Sequence, residues 1–347
     1  MALRIGIAGA GVLGRLLAFT LSRAGHAVQV FDPASGPGPR ADSGSLAAGW
    51  TAAGMLSPVA ELERAGAEVF ALGLRSCALW PQIVQGLEQP VELHMQGSLL
   101  LAHRSDAGAA QRVVGLLQAK ADAPYQPQPL TLTQVRELEP SISGPALAWL
   151  LPCEGQIHPI QALQALAAQA STQGVQWHWS TPVEQVMPGV LHAGGTPHHF
   201  DHVFDVRGVG AKPALPVRGV RGEVFWLHAP GVSLHRPVRL LHPRHSIYIV
   251  PRPGDLVVVG ASEIESEDRS PVSLRSTLEL LSAAHSAIPA LAEARVVHTE
   301  TNLRPALPDN LPVVRHTAGI TEINGLFRHG WLIAPALVEQ ALQELAL

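Results

Sequence analysis

A glycine-rich turn near the start of the chain has the spacing of a nucleotide-binding site. Gly9, Gly11 and Gly14 form a G-x-G-x-x-G pattern between a short apolar run and a helical one. The first glycine of such a pattern permits a tight turn, the second lets a pyrophosphate approach the backbone, and the third allows close packing of helix on strand. Asp32 ends the next apolar run, where a carboxylate can accept hydrogen bonds from ribose hydroxyls. Together these residues predict a dinucleotide site.

The sequence that follows Asp32 favours a flavin dinucleotide over a nicotinamide one. A nicotinamide-dependent dehydrogenase would continue with regular strand–helix units, whereas residues 43–58 are mostly glycine and other small residues. Such a stretch adds little to a hydrophobic core. It suits a backbone that lies close against a flat ring.

The hydrophobic pattern of the whole chain predicts two interleaved kinds of structure. Residues 3–31 have the pattern of strand, helix and strand, and the alternation returns around residue 155 and at the C-terminal end, where a helix is predicted over Gly330–Leu347. Another helix is predicted over Ala60–Trp80, and residues 220–261 are typical of antiparallel strands. We therefore expect an α/β (α+β) fold in which antiparallel segments are inserted between strand–helix segments.

The composition excludes several classes of protein. The chain has 347 residues, of which 47% are hydrophobic and 15% charged, and this excludes a disordered protein. Its formal net charge of −4 does not provide the positive charge that is typical of nucleic-acid-binding proteins. Two cysteines make neither a disulfide framework nor a thiolate site, and no metal is expected. Because Arg15 interrupts the apolar run of residues 5–21, we predict neither a signal peptide nor a membrane span, and a cytoplasmic location.

Six motifs in a fixed order give the chain a resemblance to a known family. They are Gly9–Gly14 with Asp32, Ala52–Pro58, Glu154–Pro159, Tyr248–Pro251, Leu303–Pro305 with Pro308 and Asp309, and Phe327–Gly330 with Ala334 and Pro335. With these motifs the chain resembles the D-amino-acid oxidase family of flavoproteins, and within it the glycine oxidase branch of the thiamine-biosynthesis type. The resemblance implies a Rossmann-like FAD-binding domain with an inserted antiparallel-sheet substrate domain.

The same resemblance implies domain bounds and a cofactor site. The FAD-binding domain would comprise residues 1–85, 150–215 and 298–347, and the substrate domain residues 86–149 and 216–297. FAD would be held non-covalently, because no cysteine follows Cys153 to serve as an attachment point. The predicted FAD-binding residues are Gly9, Gly11, Val12, Leu13, Gly14, Asp32, Ala52, Ala53, Gly54, Met55, Gly208, Arg328, His329, Gly330, Trp331 and Leu332.

By the same resemblance, four residues are predicted to bind the substrate. Arg304 would pair with a substrate carboxylate, which suits a planar fork of donors, and Tyr248 would contact the same carboxylate. Gly325 would hold the substrate amine through its carbonyl, and Arg328 would reach either the substrate or the flavin. Glycine oxidases have asparagine at the position of His329, so the identity of the substrate stays open at this point.

The implied reaction is the oxidation of a Cα–N bond in glycine or another small amino acid or amine. Hydride would pass from Cα to flavin N5, the imine would hydrolyse to a 2-oxo acid and ammonia, and dioxygen would be reduced to hydrogen peroxide. No general base is predicted, because the cofactor carries the difficult step.

Several alternatives to this reaction remain open. The chain could be a dehydrogenase of D-amino acids or N-methyl amino acids that uses a quinone-type acceptor, or a flavoprotein without turnover. The RNA-modifying branch of the family is disfavoured by the net charge of −4. A homo-oligomer is also an open alternative.

A run of arginines makes one part of the chain locally basic. These arginines are Arg218, Arg221, Arg236, Arg239, Arg244 and Arg252. They could attract anionic substrates or line a subunit contact, but we interpret them as a solvent-exposed face.

Overall fold

The computed structural model describes residues 2–39, 47–242 and 246–347, so Arg244 and residues 43–46 of the small-residue stretch lie outside it. The described residues form eight α-helices: α1 (Val12–Arg23), α2 (Pro58–Glu61), α3 (Ala67–Gln85), α4 (Ala107–Lys120), α5 (Leu132–Leu138), α6 (Pro159–Thr172), α7 (Leu274–Ala287) and α8 (Gly330–Glu344). They also form twenty strands: β1 (Arg4–Ala8), β2 (Ala27–Phe31), β3 (Met55–Leu56), β4 (Leu93–His94), β5 (Ser98–Ala102), β6 (Gln128–Leu130), β7 (Leu147–Leu151), β8 (Gly155–Ile157), β9 (Gln176–His178), β10 (Val183–Met187), β11 (Val190–Ala193), β12 (Thr196–His199), β13 (His202–Asp205), β14 (Arg218–His228), β15 (Val238–Leu241), β16 (Ser246–Arg252), β17 (Leu256–Gly260), β18 (Arg295–Ala306), β19 (Val313–Thr317) and β20 (Ile320–Asn324).

A six-stranded sheet carries the glycine-rich turn. Its strands lie in the order β19-β20-β13-β1-β2-β9, and β1 pairs in parallel with both β2 and β13. Helices α1, α6 and α8 share one hydrophobic core with this sheet. The small sheet β10-β11-β12 contributes Leu191 to a second cluster, which contains Phe31 and Val203. The central strands are therefore buried on both faces, as their continuous apolar sequence predicts.

A second large sheet carries the predicted substrate residues. Its eight strands lie in the order β18-β14-β17-β16-β15-β5-β7-β6. Strands β5 and β15 are parallel, and the other neighbours are antiparallel. Helix α7 packs against it through Leu280 and Ala284. Arg304 on the edge strand β18 and Tyr248 on β16 thus belong to one sheet.

The predicted elements around the glycine-rich turn are confirmed, but the predicted helix over Ala60–Trp80 is wrong. The chain forms two helices there, α2 and α3, and Gly66 is the N-cap of α3. Helix α3 also continues through Pro81 to Gln85. Although proline removes one backbone hydrogen bond, the preceding Trp80 is fully buried, and this packing stabilises the helix.

The prediction that the arginines of residues 218–252 form a solvent-exposed face is also wrong for those that the structure describes. Arg221 and Arg252 are only 4% and 8% exposed. Arg236 forms an ion pair with the fully buried Glu139 at 2.7 Å. Arg221 pairs with the nearby Glu223, but other partners of these cations are distant in sequence: Asp268 for Arg221, Gln156 for Arg252 and Glu139 for Arg236. A sequence pattern does not reveal such distant partners.

The predicted domain bounds at residues 150 and 298 fall inside strands β7 and β18 of the eight-stranded sheet. Because neighbouring strands are joined by hydrogen bonds, both strands belong with that sheet over their full length. We propose that the division of the chain into two domains follows the ends of these strands.

Within the residues that the structure describes, no helix combines the length and apolar character needed to cross a membrane. The same residues contain no group of three or more His, Cys, Asp or Glu side chains arranged to hold a metal ion.

The N-cap of α6 links stability to pH. His158 Nδ1 accepts a hydrogen bond from the backbone N–H of Gln161 at 3.5 Å, which requires an unprotonated Nδ1. Burial, assisted by the charge of Arg252, lowers the pKa of His158 from 6.5 to about 4. As the pH falls from 6.5 towards 4, the unfolded chain therefore binds a proton that the folded chain does not bind. Stability contributed by neutral His158 is lost over this range.

We expect His158→Asn to flatten the pH dependence of the unfolding free energy between about pH 7 and pH 5, because asparagine also caps helices but does not titrate there. Urea denaturation at both pH values measures this slope. His199→Asn, at an exposed position of β12, is the control and should keep the wild-type slope. A wild-type slope in His158→Asn would contradict the assignment.

Candidate cofactor and substrate site

A cavity of about 1010 Å³ is lined by residues of both large sheets. It brings together nearly all of the site residues predicted from the sequence. Those that line it are Gly9, Gly11, Val12, Leu13, Asp32, Ala52, Ala53, Gly54, Met55, Gly208, Tyr248, Arg304, Arg328, His329, Gly330, Trp331 and Leu332. Two predicted residues, Gly14 and Gly325, are not among the lining residues.

The glycine-rich turn is closely packed against the backbone. Gly9 has a φ of +105°, which favours glycine, and a Cβ there would lie 2.8 Å from the carbonyl oxygen of Val206. Gly14 lies behind the turn, where a Cβ would overlap the carbonyl oxygen of Gly9. The two glycines therefore let helix α1 approach strand β1, and this brings the start of the helix to the cavity wall.

The polar groups at this end of the cavity suit a dinucleotide. Helix α1 begins at Val12, and no acidic residue lies in its first turn, so its free amides and partial positive charge suit phosphate. Asp32 lies at the carboxyl end of β2. Its Oδ2 accepts a hydrogen bond from the Ala10 N–H at 2.6 Å, and its Oδ1 accepts one from the Ala34 N–H at 2.8 Å. These bonds fix the orientation of the carboxylate towards the turn.

Residues 47–55 form a backbone segment along one wall of the cavity. Trp331 Nε1 on α8 donates a hydrogen bond to the Gly49 carbonyl at 3.1 Å. Arg252 on β16 donates another to the Ala53 carbonyl. Small residues keep this wall flat, and side chains from both halves of the molecule fix its position.

The start of α8 forms another part of the wall. His329 is the N-cap of α8, and the preceding Phe327 has a φ of +47° that turns the chain into the helix. The positive end of the helix dipole therefore lies at the cavity. Gly325 has a φ of +77° and is enclosed by Leu307, to which a Cβ would come within 2.7 Å. Its predicted contact with a substrate amine stays a prediction.

Arg304 and Tyr248 each lie over a glycine of a neighbouring strand. The Arg304 guanidinium lies against Gly222 of β14, where a Cβ would be 2.5 Å from the guanidinium carbon. Across β16 and β17, Tyr248 pairs with Gly260, where a Cβ would overlap the tyrosine hydroxyl. Arg304 Nη1 donates to the Ser262 carbonyl at 2.9 Å. The two glycines thus leave the space in which these side chains meet the cavity.

A buried carboxylate joins the cations near Arg304. Glu61 is the last residue of α2 and is only 6% exposed. Its Oε1 forms an ion pair with Arg239 at 2.6 Å, and its Oε2 forms one with Arg328 at 2.6 Å. His329 Nε2 lies 3.0 Å from the same Oε2. Arg328 also contacts Glu263 at 3.2 Å. A single carboxylate therefore connects a strand of the eight-stranded sheet to the start of α8.

The charges of this cluster keep Glu61 ionised. Burial would raise the pKa of Glu61, but the charges of Arg239 and Arg328 and the hydrogen bond with His329 hold it well below its usual range. Burial lowers the pKa of the Arg304 guanidinium and raises that of the Tyr248 hydroxyl. Tyr248 therefore remains a neutral hydrogen-bonding group, whereas Arg304 stays a cation because its ordinary pKa is so high.

The sequence patterns do not indicate four of these residues: Glu61, Arg239, Gly222 and Gly260. Glu61 falls within a predicted helix, and Arg239 within the stretch interpreted as a solvent-exposed face. A glycine inside a strand can indicate a close approach, and this was the available signal for Gly222 and Gly260. The partners of Glu61 lie far along the chain, so the sequence offers no comparable signal for that carboxylate.

Comparisons with known proteins show what the chain is similar to. The model of the DAO family, described as FAD dependent oxidoreductase, matches residues 4–341. A putative thiamine biosynthesis oxidoreductase ThiO of Rhizobium etli is 36% identical over 345 residues, which cover 99% of this chain and 96% of that protein. A glycine oxidase of Geobacillus kaustophilus is 27% identical over 352 residues, which cover 95% and 89%. The crystal structure of glycine oxidase from Geobacillus kaustophilus has a TM-score of 0.83 and 26% identity, and the match covers 97% of this chain and 93% of that one.

The residues present fit FAD. A Cβ at Gly9 would meet backbone at 2.8 Å, so the turn keeps the tight form that phosphate binding requires. The starts of α1 and α8 both lie at the cavity, where one suits the pyrophosphate and the other the pyrimidine edge of the flavin. Asp32 would hold the ribose, and residues 47–55 would lie against the rings.

We expect Gly222→Ala to weaken carboxylate binding about tenfold or more, because the new methyl group displaces the Arg304 guanidinium that would form a charge-assisted pair. Titration of the FAD-loaded protein with acetate, followed through the flavin absorbance, measures this affinity. Gly115→Ala is the control, since a Cβ at that position of α4 meets no atom within 4 Å. Unchanged acetate affinity in Gly222→Ala would contradict the assigned clearance.

Proposed function

We propose that this chain, which belongs to the DAO family of FAD-dependent oxidoreductases, oxidises the Cα–N bond of glycine or another small amino acid or amine. The predicted family, fold class and FAD cofactor are confirmed by the family match and by the similarity to glycine oxidases. The particular substrate, the electron acceptor and the products are part of the proposal.

The position of Arg304 is the observation that carries the proposal. Its guanidinium donates to backbone carbonyls, those of Ser262 and Arg221, and it has no carboxylate partner among the described residues. It faces the cavity beside Tyr248. A guanidinium suits a carboxylate, with which it can form two parallel hydrogen bonds. A substrate with one carboxylate supplies the missing partner.

The protein contributes binding and orientation. Bound FAD would supply the two-electron oxidant that accepts hydride from Cα. Arg304 and Tyr248 would hold the carboxylate of the substrate and so fix the direction of its Cα–H bond. As that bond breaks with its electron pair, the nitrogen lone pair forms the C=N bond of an imine, which water converts to a 2-oxo acid and ammonia. Enclosure by both sheets limits the access of water while the substrate is held.

The proposed substrate class is tested by mixing the FAD-loaded protein anaerobically with glycine, sarcosine, D-alanine and D-proline in turn. We expect at least one of them to bleach the flavin absorbance near ~450 nm, a general property of flavin reduction. Recovery of the absorbance in air with formation of peroxide would identify an oxidase. Failure to recover in air, with recovery on adding a quinone, would identify a dehydrogenase. If none of the four bleaches the flavin, the proposed substrate class is wrong.

The carboxylate contact is tested by substituting Arg304. We expect Arg304→Ala to lower kcat/KM for the best substrate about 10²-fold or more, because the substrate charge loses its partner in an enclosed site. Arg304→Lys should recover part of the loss, since it keeps the charge without the planar fork. The flavin spectrum of each variant shows whether FAD is still bound. Wild-type kinetics in an FAD-loaded Arg304→Ala protein would refute the assignment.

A further inference from the structure

Arg304 lies among other cations that are already neutralised. Among the charged residues that line the cavity, Arg239, Arg328, Glu61 and Glu263 form one connected group close to Arg304. Arg239 contacts Glu61, and Arg328 contacts both carboxylates. Arg304 alone of these three arginines contacts no carboxylate within the described part of the chain.

The two carboxylates also act on the position that a substrate would occupy. Burial lowers the pKa of the Arg304 guanidinium, the negative charges of Glu263 and Glu61 are close enough to oppose this effect, and the positive charge of Arg328 adds to it. A second negative group on a substrate held by Arg304 would therefore lie near them. Like charges in an enclosed site repel more strongly than in water, because the effective dielectric constant is lower.

We propose that Glu61, assisted by Glu263, is a specificity-determining residue that excludes substrates with a second carboxylate. Glu61 uses one oxygen for Arg239 and the other for Arg328, so these two guanidinium groups are already engaged and are not free to bind a second carboxylate. This inference rests on the proposed function, since it assumes that Arg304 holds the first carboxylate. It adds that the substrate class is restricted to amines with a single carboxylate. Such selection by repulsion is a common way to obtain specificity.

Binding of simple anions tests this inference without turnover. The FAD-loaded protein is titrated with acetate and with malonate, and the flavin absorbance gives a dissociation constant for each. We expect the wild-type protein to bind acetate more tightly than malonate. In Glu61→Gln the amide removes the negative charge and leaves Arg239 and Arg328 available. The affinity for malonate relative to acetate should then rise about tenfold or more.

Two further variants make this experiment specific. Glu263→Gln, at a position whose side chain is 40% exposed, should shift the ratio in the same direction by a smaller factor, and it provides the test if Glu61→Gln fails to fold. Glu265→Gln is the matched control, because Glu265 is 66% exposed and pairs with Arg218. It should keep the wild-type ratio. A parallel assay of kcat/KM should show iminodiacetate gaining on glycine in Glu61→Gln.

The possible outcomes separate the two proposals. If wild-type protein binds acetate but the ratio is unchanged in both Glu61→Gln and Glu263→Gln, this inference is wrong and the proposed function stands. Tighter binding of malonate than acetate by the wild-type protein would also overturn it. If acetate does not bind to the wild-type protein at all, the assigned carboxylate site and this inference fail together.

Discussion

Charged groups buried in the protein require partners, and this constraint governs most of the site. A buried cation or carboxylate without a partner is costly. Arg15, 1% exposed, accordingly donates to the carbonyls of Ala10, Pro37 and Leu163. Glu61 contacts two arginines and a histidine. Among the residues that the structure describes, Arg304 donates hydrogen bonds only to backbone carbonyls.

The same contacts join the two halves of the molecule. Arg252 on the eight-stranded sheet donates to the Ala53 carbonyl beside the cofactor site. Glu61 links Arg239 on that sheet to Arg328 before α8. Polar contacts between the halves thus fix the distance from the glycine-rich turn to Arg304 at the other end of the cavity. Orientation of the reacting atoms depends on that distance, because catalysis requires them within near-contact range.

Glycines determine the space available in the site as much as its charged and aromatic side chains do. The glycine-rich turn lets α1 approach β1, and Gly222 and Gly260 give room to the Arg304 guanidinium and the Tyr248 ring. These glycines contribute no chemistry of their own. The absence of a Cβ determines where the first amides of α1 and the Arg304 guanidinium can lie.

The sequence alone determined the glycine-rich turn with Asp32 and the alternation of strands and helices around it. Its ordered motifs also identified the family and the cofactor, and they singled out Arg304 and Tyr248, which both line the cavity. These are local patterns, and local patterns report on local backbone. Only the tertiary structure decided the ion pairs of Glu61, the burial of Arg239 and the clearances over Gly222 and Gly260. Each depends on residues brought together from distant segments. The same charged side chain can be exposed to solvent in one fold and paired with a buried partner in another. The sequence pattern around it does not distinguish these two cases.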